Sequence, residues 1–431
     1  MHAAVPLQLP LRPPLVQPLP PHLSTPLPSP LRLLHLIRSV NAVNGGPAEG
    51  VRQTVLSARA LGHFGEVLTL DAPDDACVDA FPATTHAVGT GRGNYGWNRR
   101  LDSWLRDRAA GYDALVVHGL WQYHGVAARR AALAARRPYY VFAHGMLDPW
   151  FRQAHPLKHA KKQLYWLAAE RAVLRDAQAV LFTTEEESRL ALRTFKPYAA
   201  RHEVLGFGLT LDDEARQARA EDFLQQYPDL QGRRLLLFLG RLHTKKGCDL
   251  LIDAFAAVAV HHPQLHLVMA GPDNDGLMTT LAQRAQHLGV ACRITWTGML
   301  QGRVKWGALR AAEVFVLPSH QENFGIAVAE ALAVGTPVLI SNQVNIWREI
   351  VAADAGLAEV DTLAGTRALL SRWLALTPPA QAEMRAAALR CFEAHFRMEV
   401  SVQRLHTLVA ATRASTAATV DSQPCHTAQT K

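Results

Sequence analysis

The chain has 431 residues, 49% of them hydrophobic and 19% charged, a balance that suits a globular protein of two domains and excludes a disordered or fibrous one. Lys and Arg number 45 against 37 Asp and Glu, and the resulting formal charge of +8 favours anionic partners such as phosphate-bearing substrates or acidic lipid. The basic residues are scattered and form no aromatic-basic motif, which argues against nucleic acid.

Residues 1–30 are a Pro/Leu-rich run without the unbroken apolar core or small-residue cleavage site of a signal peptide, and are expected to be a disordered extension. A buried-strand run at 31–37 (LRLLHLI) leads into a glycine-rich turn holding Gly45 and Gly46, then a helix from about Glu49. The turn is not G-x-G-x-x-G, so the dinucleotide fingerprint is not met. Further strands are expected at 66–70, 114–117, 139–143 and 179–183, separated by helix-like sequence. Such alternation implies a parallel sheet.

The pattern restarts near residue 233, with strands expected at 233–241, 265–271, 293–298, 314–319 and 337–341 and helices at 248–262, at 302–312 and from Gly325. The expected fold is α/β: two Rossmann-like doubly wound domains facing a cleft, an N-terminal one at 31–210 and a C-terminal one at 233–378, with a linker at 211–232. A helix over 379–413 is expected to cross back to the first domain, and 414–431 to be a disordered tail. The cysteines, Cys77, Cys248, Cys292, Cys391 and Cys425, form no C-x-x-C pair and are odd in number, which argues for a reducing compartment over a disulfide framework or zinc site. No apolar run reaches the ~20 residues that span a bilayer.

Ligands of doubly wound sheets bind outside the carboxyl ends of the strands. There the stretch QENFGIAVAEALAVGTPVLIS (321–341) sets Glu322 and Glu330 among small and aliphatic residues. An unpaired buried carboxylate is costly, so a polar group must meet each one or it must face solvent. Glu322 and Asn323 lie in the loop after a strand, and Gly325 opens a helix and permits close approach to the backbone. The amides of Phe324, Gly325 and Ile326 point out of the helix start, where an anion is favoured. A phosphate on those amides, with sugar hydroxyls on Glu322 and a hydroxyl pair on Glu330, accounts for both carboxylates. A helix N-terminal acid plus one exposed glutamate also accounts for them.

His118 and His144 each end a strand of the first sheet; His124 and His320 are weaker candidates. Asp273-Asn274-Asp275 spells D-x-D, but its Gly/Pro/Asn-rich surroundings explain it as a turn. Residues 156–175 set Lys158, Lys161, Lys162, Arg171 and Arg175 among Leu164, Trp166, Leu167 and Leu174. That is either a surface for anionic lipid or a helix with a solvated basic face.

As a set, FLGRLHTKKGCDLLIDAF (238–255), LVMAGPDNDG, ITWTGML and VFVLPSHQENFGIAVAEALAVGTPVLIS resemble the donor-side blocks of glycosyltransferase family 4, the group 1 glycosyltransferases of GT-B fold. Glu322 and Glu330 match the family's E-x7-E motif. The resemblance covers most of 232–345, and the first domain matches more loosely through SVNAVNGGPAEGVRQ, VVHGLW and AHGMLDPW. It implies that Arg241 and Lys246 neutralise a donor diphosphate, a leaving group whose developing charge two cations stabilise. It further implies Glu330 on the ribose, Glu322 with Asn323, Phe324 and Gly325 on the donor sugar and phosphates, and the backbone of Met299 and Leu300 along the base. A histidine near the reacting carbon is implied as well. Either His118 or His144 matches, and His144 is preferred because Asp148 and a proline turn follow it. The catalytic candidates are therefore His144, His118 and Glu322, and the acceptor side falls near Gly45, Gly46 and Asp148.

The implied activity is retaining transfer of a sugar from a nucleoside-diphosphate sugar to a hydroxyl acceptor; the positive charge and the basic 156–175 stretch point to a glycan or lipid-linked acceptor, in cell-surface polysaccharide or lipid-linked glycan synthesis. No cofactor or metal is expected, since cations and amides serve the donor phosphates. The expected location is the cytoplasm, with the inner face of the membrane, an anionic surface, as a peripheral partner. One rival is a sugar-nucleotide epimerase on the same fold, which needs no acceptor. The other is a non-catalytic sugar-nucleotide-binding protein. The set Arg241, Lys246, Glu322 and Glu330 argues against both.

Overall fold

The computed structural model describes residues 29–41, 43, 46–149, 152 and 156–421, with side chains through residue 415. Gly45 lies outside these residues, as do 1–28 of the N-terminal run and 422–431 of the tail.

The first sheet has seven strands: β1 (Arg32–Ile37), β2 (Phe64–Thr69), β3 (Thr85–Ala87), β4 (Ala114–His118), β5 (Tyr139–Phe142), β6 (Ala179–Phe182) and β7 (His202–Val204). The second has six: β8 (Arg234–Leu239), β9 (Leu265–Ala270), β10 (Ile294–Gly298), β11 (Val314–Leu317), β12 (Val338–Ser341) and β13 (Gly356–Glu359). The spatial orders are β3-β2-β1-β4-β5-β6-β7 and β10-β9-β8-β11-β12-β13. All neighbours are parallel. Each order reverses beside its first strand, between β1 and β4 and between β8 and β11, and a doubly wound sheet opens its crevice there. Helices cover both faces, so β4, β11 and β12 are buried along their whole length and read as unbroken apolar runs.

Three strands outside the expected set carry no such run. β3 (THA), β7 (HEV) and β13 (GLAE) are sheet edges of three or four residues. A half-exposed edge needs little apolar sequence, so nothing in the composition announces these strands.

The stretch expected to be a linker at 211–232 is instead part of the second domain. It forms the helices Asp213–Gln217 and Ala220–Leu224, and Phe223 is fully buried against the helix Gly302–Ala311. The expected helix 379–413 is two helices, Pro378–His395 and Met398–Asp421. The break at Phe396-Arg397 is where the chain passes beside the first crossing: Leu209 N donates to Phe396 O (3.0 Å) and Met398 N to Leu209 O (3.3 Å). The second helix returns to the first domain, where Leu405 and Val409 pack with Leu33, Val116 and Tyr140. It runs to Asp421, past the expected start of the tail at 414. Phe324, in the loop after β11, packs edge-on against Phe207 (5.0 Å) and Phe396 (5.7 Å) and so pins that loop to both crossings.

Phe223→Ala is expected to lower stability by about 3–5 kcal/mol in a thermal melt, the usual cost of emptying a phenylalanine site in a core. An unchanged melting temperature would make 211–232 a loose connection after all.

Candidate functional site

The loops after β8 and β11 meet at the middle of the second sheet. His320 N and Ser319 Oγ both donate to the Lys245 carbonyl, at 2.8 and 2.9 Å, and stitch the two loops together. The Glu322 backbone is tied on its other side, to Gln343 O (3.0 Å) and Asn345 N (3.1 Å). With both loops fixed, the Lys246 ammonium forms an ion pair with the Glu322 carboxylate, each side chain about one-fifth exposed (20% and 19%). Arg241 is exposed at the same mouth, and among the described residues no carboxylate pairs with it. Lys245 lines the cleft too; burial lowers its pKa, opposed by the carboxylates of Glu322 and Asp148. Three cations converging at one crevice suit a polyanion.

Gly325 precedes the helix Ile326–Ala333 in the left-handed region (φ +80°), so the turn itself requires glycine there. Val328, Ala329, Ala331 and Leu332 of that helix are buried, whereas Ile326, Ala327 and Glu330 stay partly accessible on one face. The group that meets Glu330 is Lys305 of the helix Gly302–Ala311, with Nζ 2.7 Å from Oε1. Met299, 64% exposed, and Leu300 directly precede that helix at the end of β10. Three strand spacings from β11 to β10 put them roughly 14 Å from the Glu322 loop. Asp273, the first acid of the D-x-D, caps the helix Leu277–His287 by accepting from Leu277 N (2.7 Å) and Met278 N (3.1 Å).

From the first domain, His144, Gly145 and Met146 face these cations across a cleft of about 200 Å³. His144 follows β5 with φ +49°, a strained conformation for a non-glycine residue. Buried Glu187 holds the turn by accepting from Gly145 N (2.6 Å), Thr183 N (2.8 Å) and Thr183 Oγ1 (2.7 Å). The turn after β4 is built alike. Trp121 has φ +71°, and its amide donates to Glu170 Oε2 at 3.1 Å. Burial raises the Glu170 pKa to about 8.

His118 is buried behind His144, with its Nδ1 3.0 Å from His144 Nε2, so the two candidates belong to one unit. Buried His124 places Nε2 3.0 Å from the His118 carbonyl, and His320 pairs with Asp361 at 2.9 Å. Asp148 sits on the domain seam, where it accepts from Gln321 Nε2 (3.1 Å). Asn323 Nδ2 donates to Thr183 Oγ1 (3.2 Å), and Arg348 pairs with Glu186 (2.8 Å). A side chain on Gly145 would come within 2.9 Å of Asn323. The Phe324 ring is buried, which leaves only its amide for a ligand. Gly46 opens the helix Gly46–Ala60 and is exposed. The domains are thus closed on each other.

Sequence reasoning did not single out Lys245, Lys305, Glu187 or Glu170. The motif Thr184-x-x-Glu187 was a visible signal, since Thr184 Oγ1 caps Glu187 N (3.0 Å). Lys305 and Glu170 have none, because each finds its partner through the fold.

Two doubly wound domains with a cationic crevice between them define a GT-B protein. The model of the family described as glycosyl transferases group 1 matches residues 220–388, and that of the glycosyl transferase 4-like domain matches 45–208. Mannosylfructose-phosphate synthase of Agrobacterium fabrum is 37% identical over 123 residues, 27% of each chain. D-inositol 3-phosphate glycosyltransferase of Mycolicibacterium gilvum is 31% identical over 175 residues, 39% of this chain and 38% of that protein. The match therefore spans well under half the length of these relatives. The fold is shared with HepE of Anabaena in complex with UDP (TM-score 0.71, 18% identity, 89% of this chain and 100% of that one). It is also shared with a glycosyltransferase of Rickettsia africae (TM-score 0.73, 13% identity, 89% and 98%). The chain belongs to the group 1 glycosyltransferases, family 4.

Glu170 supplies a pH test. Its carboxyl keeps a proton in the folded protein up to about pH 8, whereas the unfolded chain loses it near pH 4.5. The native state then binds more protons, so this residue makes stability fall as pH rises between those values. Glu170→Gln is expected to raise the melting temperature at pH 8 and to leave it near wild type at pH 4. Equal shifts at both pH values would contradict a protonated Glu170.

Proposed function

We propose that the protein is a retaining glycosyltransferase that moves a sugar from a nucleoside-diphosphate sugar to a hydroxyl acceptor. The observation that carries this reading is the Lys246–Glu322 pair, with Arg241 and Lys245 beside it, in the cleft opposite His144. Family membership supports the reaction class. So does the M. gilvum relative, by name a glycosyltransferase of D-inositol 3-phosphate.

In this reading the donor diphosphate takes Arg241, Lys245 and Lys246, together with the open amides at the start of the helix Ile326–Ala333. Displaced from Lys246, Glu322 turns to the sugar hydroxyls. Glu330, oriented by Lys305, receives the ribose hydroxyls, and the base lies along Met299 and Leu300. Every role is hydrogen bonding or charge neutralisation, so no metal is assigned one. The acceptor hydroxyl attacks the anomeric carbon on the face from which the diphosphate leaves. Its proton passes to the departing phosphate oxygen, the C–O bond to phosphate breaks, and configuration is retained. The cations stabilise charge growing on the leaving group, while His144 contacts the sugar.

A glycan or lipid-linked acceptor at an anionic membrane extends the proposal. No helix among the described residues is long and apolar enough to cross a membrane. On the helix Pro156–Tyr165 and just beyond it, Leu157, Leu164 and Leu167 stand exposed beside Lys158 and Lys161, whereas Trp166 and Leu174 are buried. Exposed leucines flanked by lysines suit shallow insertion among anionic headgroups.

A panel of UDP- and GDP-sugars read by ligand-induced melting shifts tests the donor assignment. One class should stabilise the protein, and Glu330→Ala should weaken its binding about 10- to 100-fold through loss of charge-assisted hydrogen bonds. Undiminished affinity would remove Glu330 from the site, and epimerised sugar nucleotide released without acceptor would make the protein an isomerase. For the membrane, replacing Leu157, Leu164 and Leu167 by Ser should abolish co-sedimentation with phosphatidylglycerol vesicles, since each leucine contributes about 1.5–3 kcal/mol when buried. Unchanged co-sedimentation would place the membrane contact elsewhere.

A further inference from the structure

Three histidines form a diagonal row across the first sheet. His35 of β1 lies level with Val116 of β4, and His118 is two residues further along β4. His118 in turn lies level with Phe142 of β5, and His144 is two residues beyond that. Residues in register share a face, as do residues two apart along a strand. Each step therefore moves one strand over and two residues toward the carboxyl edge on one face, and the row ends at the cleft.

The rings touch along this diagonal. His35 Nδ1 is 3.0 Å from His118 Nε2, and His118 Nδ1 is 3.0 Å from His144 Nε2. Phe142 stacks on both His118 (5.7 Å) and His144 (5.0 Å), which fixes their planes. His35 is 0% exposed and His118 3%, so water does not reach those two rings. Burial holds all three imidazoles neutral, with His35 lowered to about 3, His118 well below its usual value and His144 to about 4. A neutral imidazole has one donor and one acceptor nitrogen. Two successive contacts then leave only two arrangements, with every N–H pointing toward the cleft or every one away from it.

The buried end decides between them. His35 Nε2 is buried with no partner among the described residues. A lone pair is tolerated there better than an N–H, because orphaned buried N–H groups are rarer than unmet acceptors. His118 O and Val402 O take one nitrogen each of His124 and His406, and the remaining nitrogens, His124 Nδ1 and His406 Nε2, make no hydrogen bond to the row.

We propose that His35 is a positioning residue that sets the tautomer of His118, and through it that of His144, so that His144 presents Nδ1–H to a sugar oxygen in the cleft. The role rests on the reading of the cleft as a sugar-nucleotide site, and the tautomers are observable without any substrate.

The full-length protein labelled with 15N-histidine reports the protonated nitrogen of each ring by NMR, with His35→Phe, His118→Phe and His144→Phe assigning the signals. Nδ1–H is expected on all three. His144 without a proton on Nδ1, or a mixture of tautomers, overturns the row. In steady-state kinetics with the donor found by melting shifts, His35→Phe is expected to lower kcat about tenfold, the worth of one hydrogen bond made in the transition state. Donor KM should stay within about twofold of wild type. His35→Asn, whose amide can still donate to His118 Nε2, should recover most of the rate. Equal losses in both variants, tracking the melting temperature, would make His35 a packing residue and overturn the proposal. The predicted tautomers in a protein that turns over no sugar nucleotide would overturn the reading of the cleft. Turnover with the opposite tautomers would overturn the row alone.

Discussion

Two opposite charges from neighbouring strands, Lys246 after β8 and Glu322 after β11, meet at the centre of the second sheet, and much of the surrounding structure holds them there. A half-buried ion pair adds little net stability, because desolvation offsets the Coulomb gain. Its use lies in the ligand-free protein. The carboxylate keeps the ammonium in place and partly stripped of water, so an incoming phosphate meets a cation that needs little further ordering. Arg241 waits at the rim with no such keeper among the described residues, and Lys245 supplies both a side chain and the carbonyl that joins the two loops.

The first domain answers this rigid centre with local strain. Its turns after β4 and β5 hold Trp121 and His144 in left-handed backbone, and one buried glutamate side chain supports each turn. Residues in that conformation persist only where their surroundings over-determine them. Glu170 and Glu187 supply the constraint through backbone amides, so the groups facing the cleft need not supply it themselves. Phe324 has a comparable duty between the domains, where its ring between Phe207 and Phe396 couples the donor loop to both chain crossings.

Much of this was legible in the sequence. Buried parallel strands advertise themselves as apolar runs, and the glycines and charges in the loops behind them stand out against that background. Glu322 was readable because it occupies such a loop, Arg241 and Lys246 through the family resemblance of theirs, and the structure brings all three to one cleft. Glu330 posed a question that sequence could state and not answer, since Lys305 reaches it from another helix. The edge strands β3, β7 and β13 escaped because so little of them is buried, and Phe223 was hidden in a polar stretch that looked like a connection. The row from His35 to His144 depends on register between β1, β4 and β5, which no spacing along the chain encodes.

The most direct measurement is a crystal structure of the protein with a nucleoside diphosphate bound. Diphosphate oxygens should lie about 3 Å from Lys246 Nζ and from the Arg241 guanidinium, with Lys246 drawn away from Glu322. A ligand bound elsewhere, or a Lys246–Glu322 pair left intact beside a diphosphate held by other groups, would contradict the assignment of the cleft.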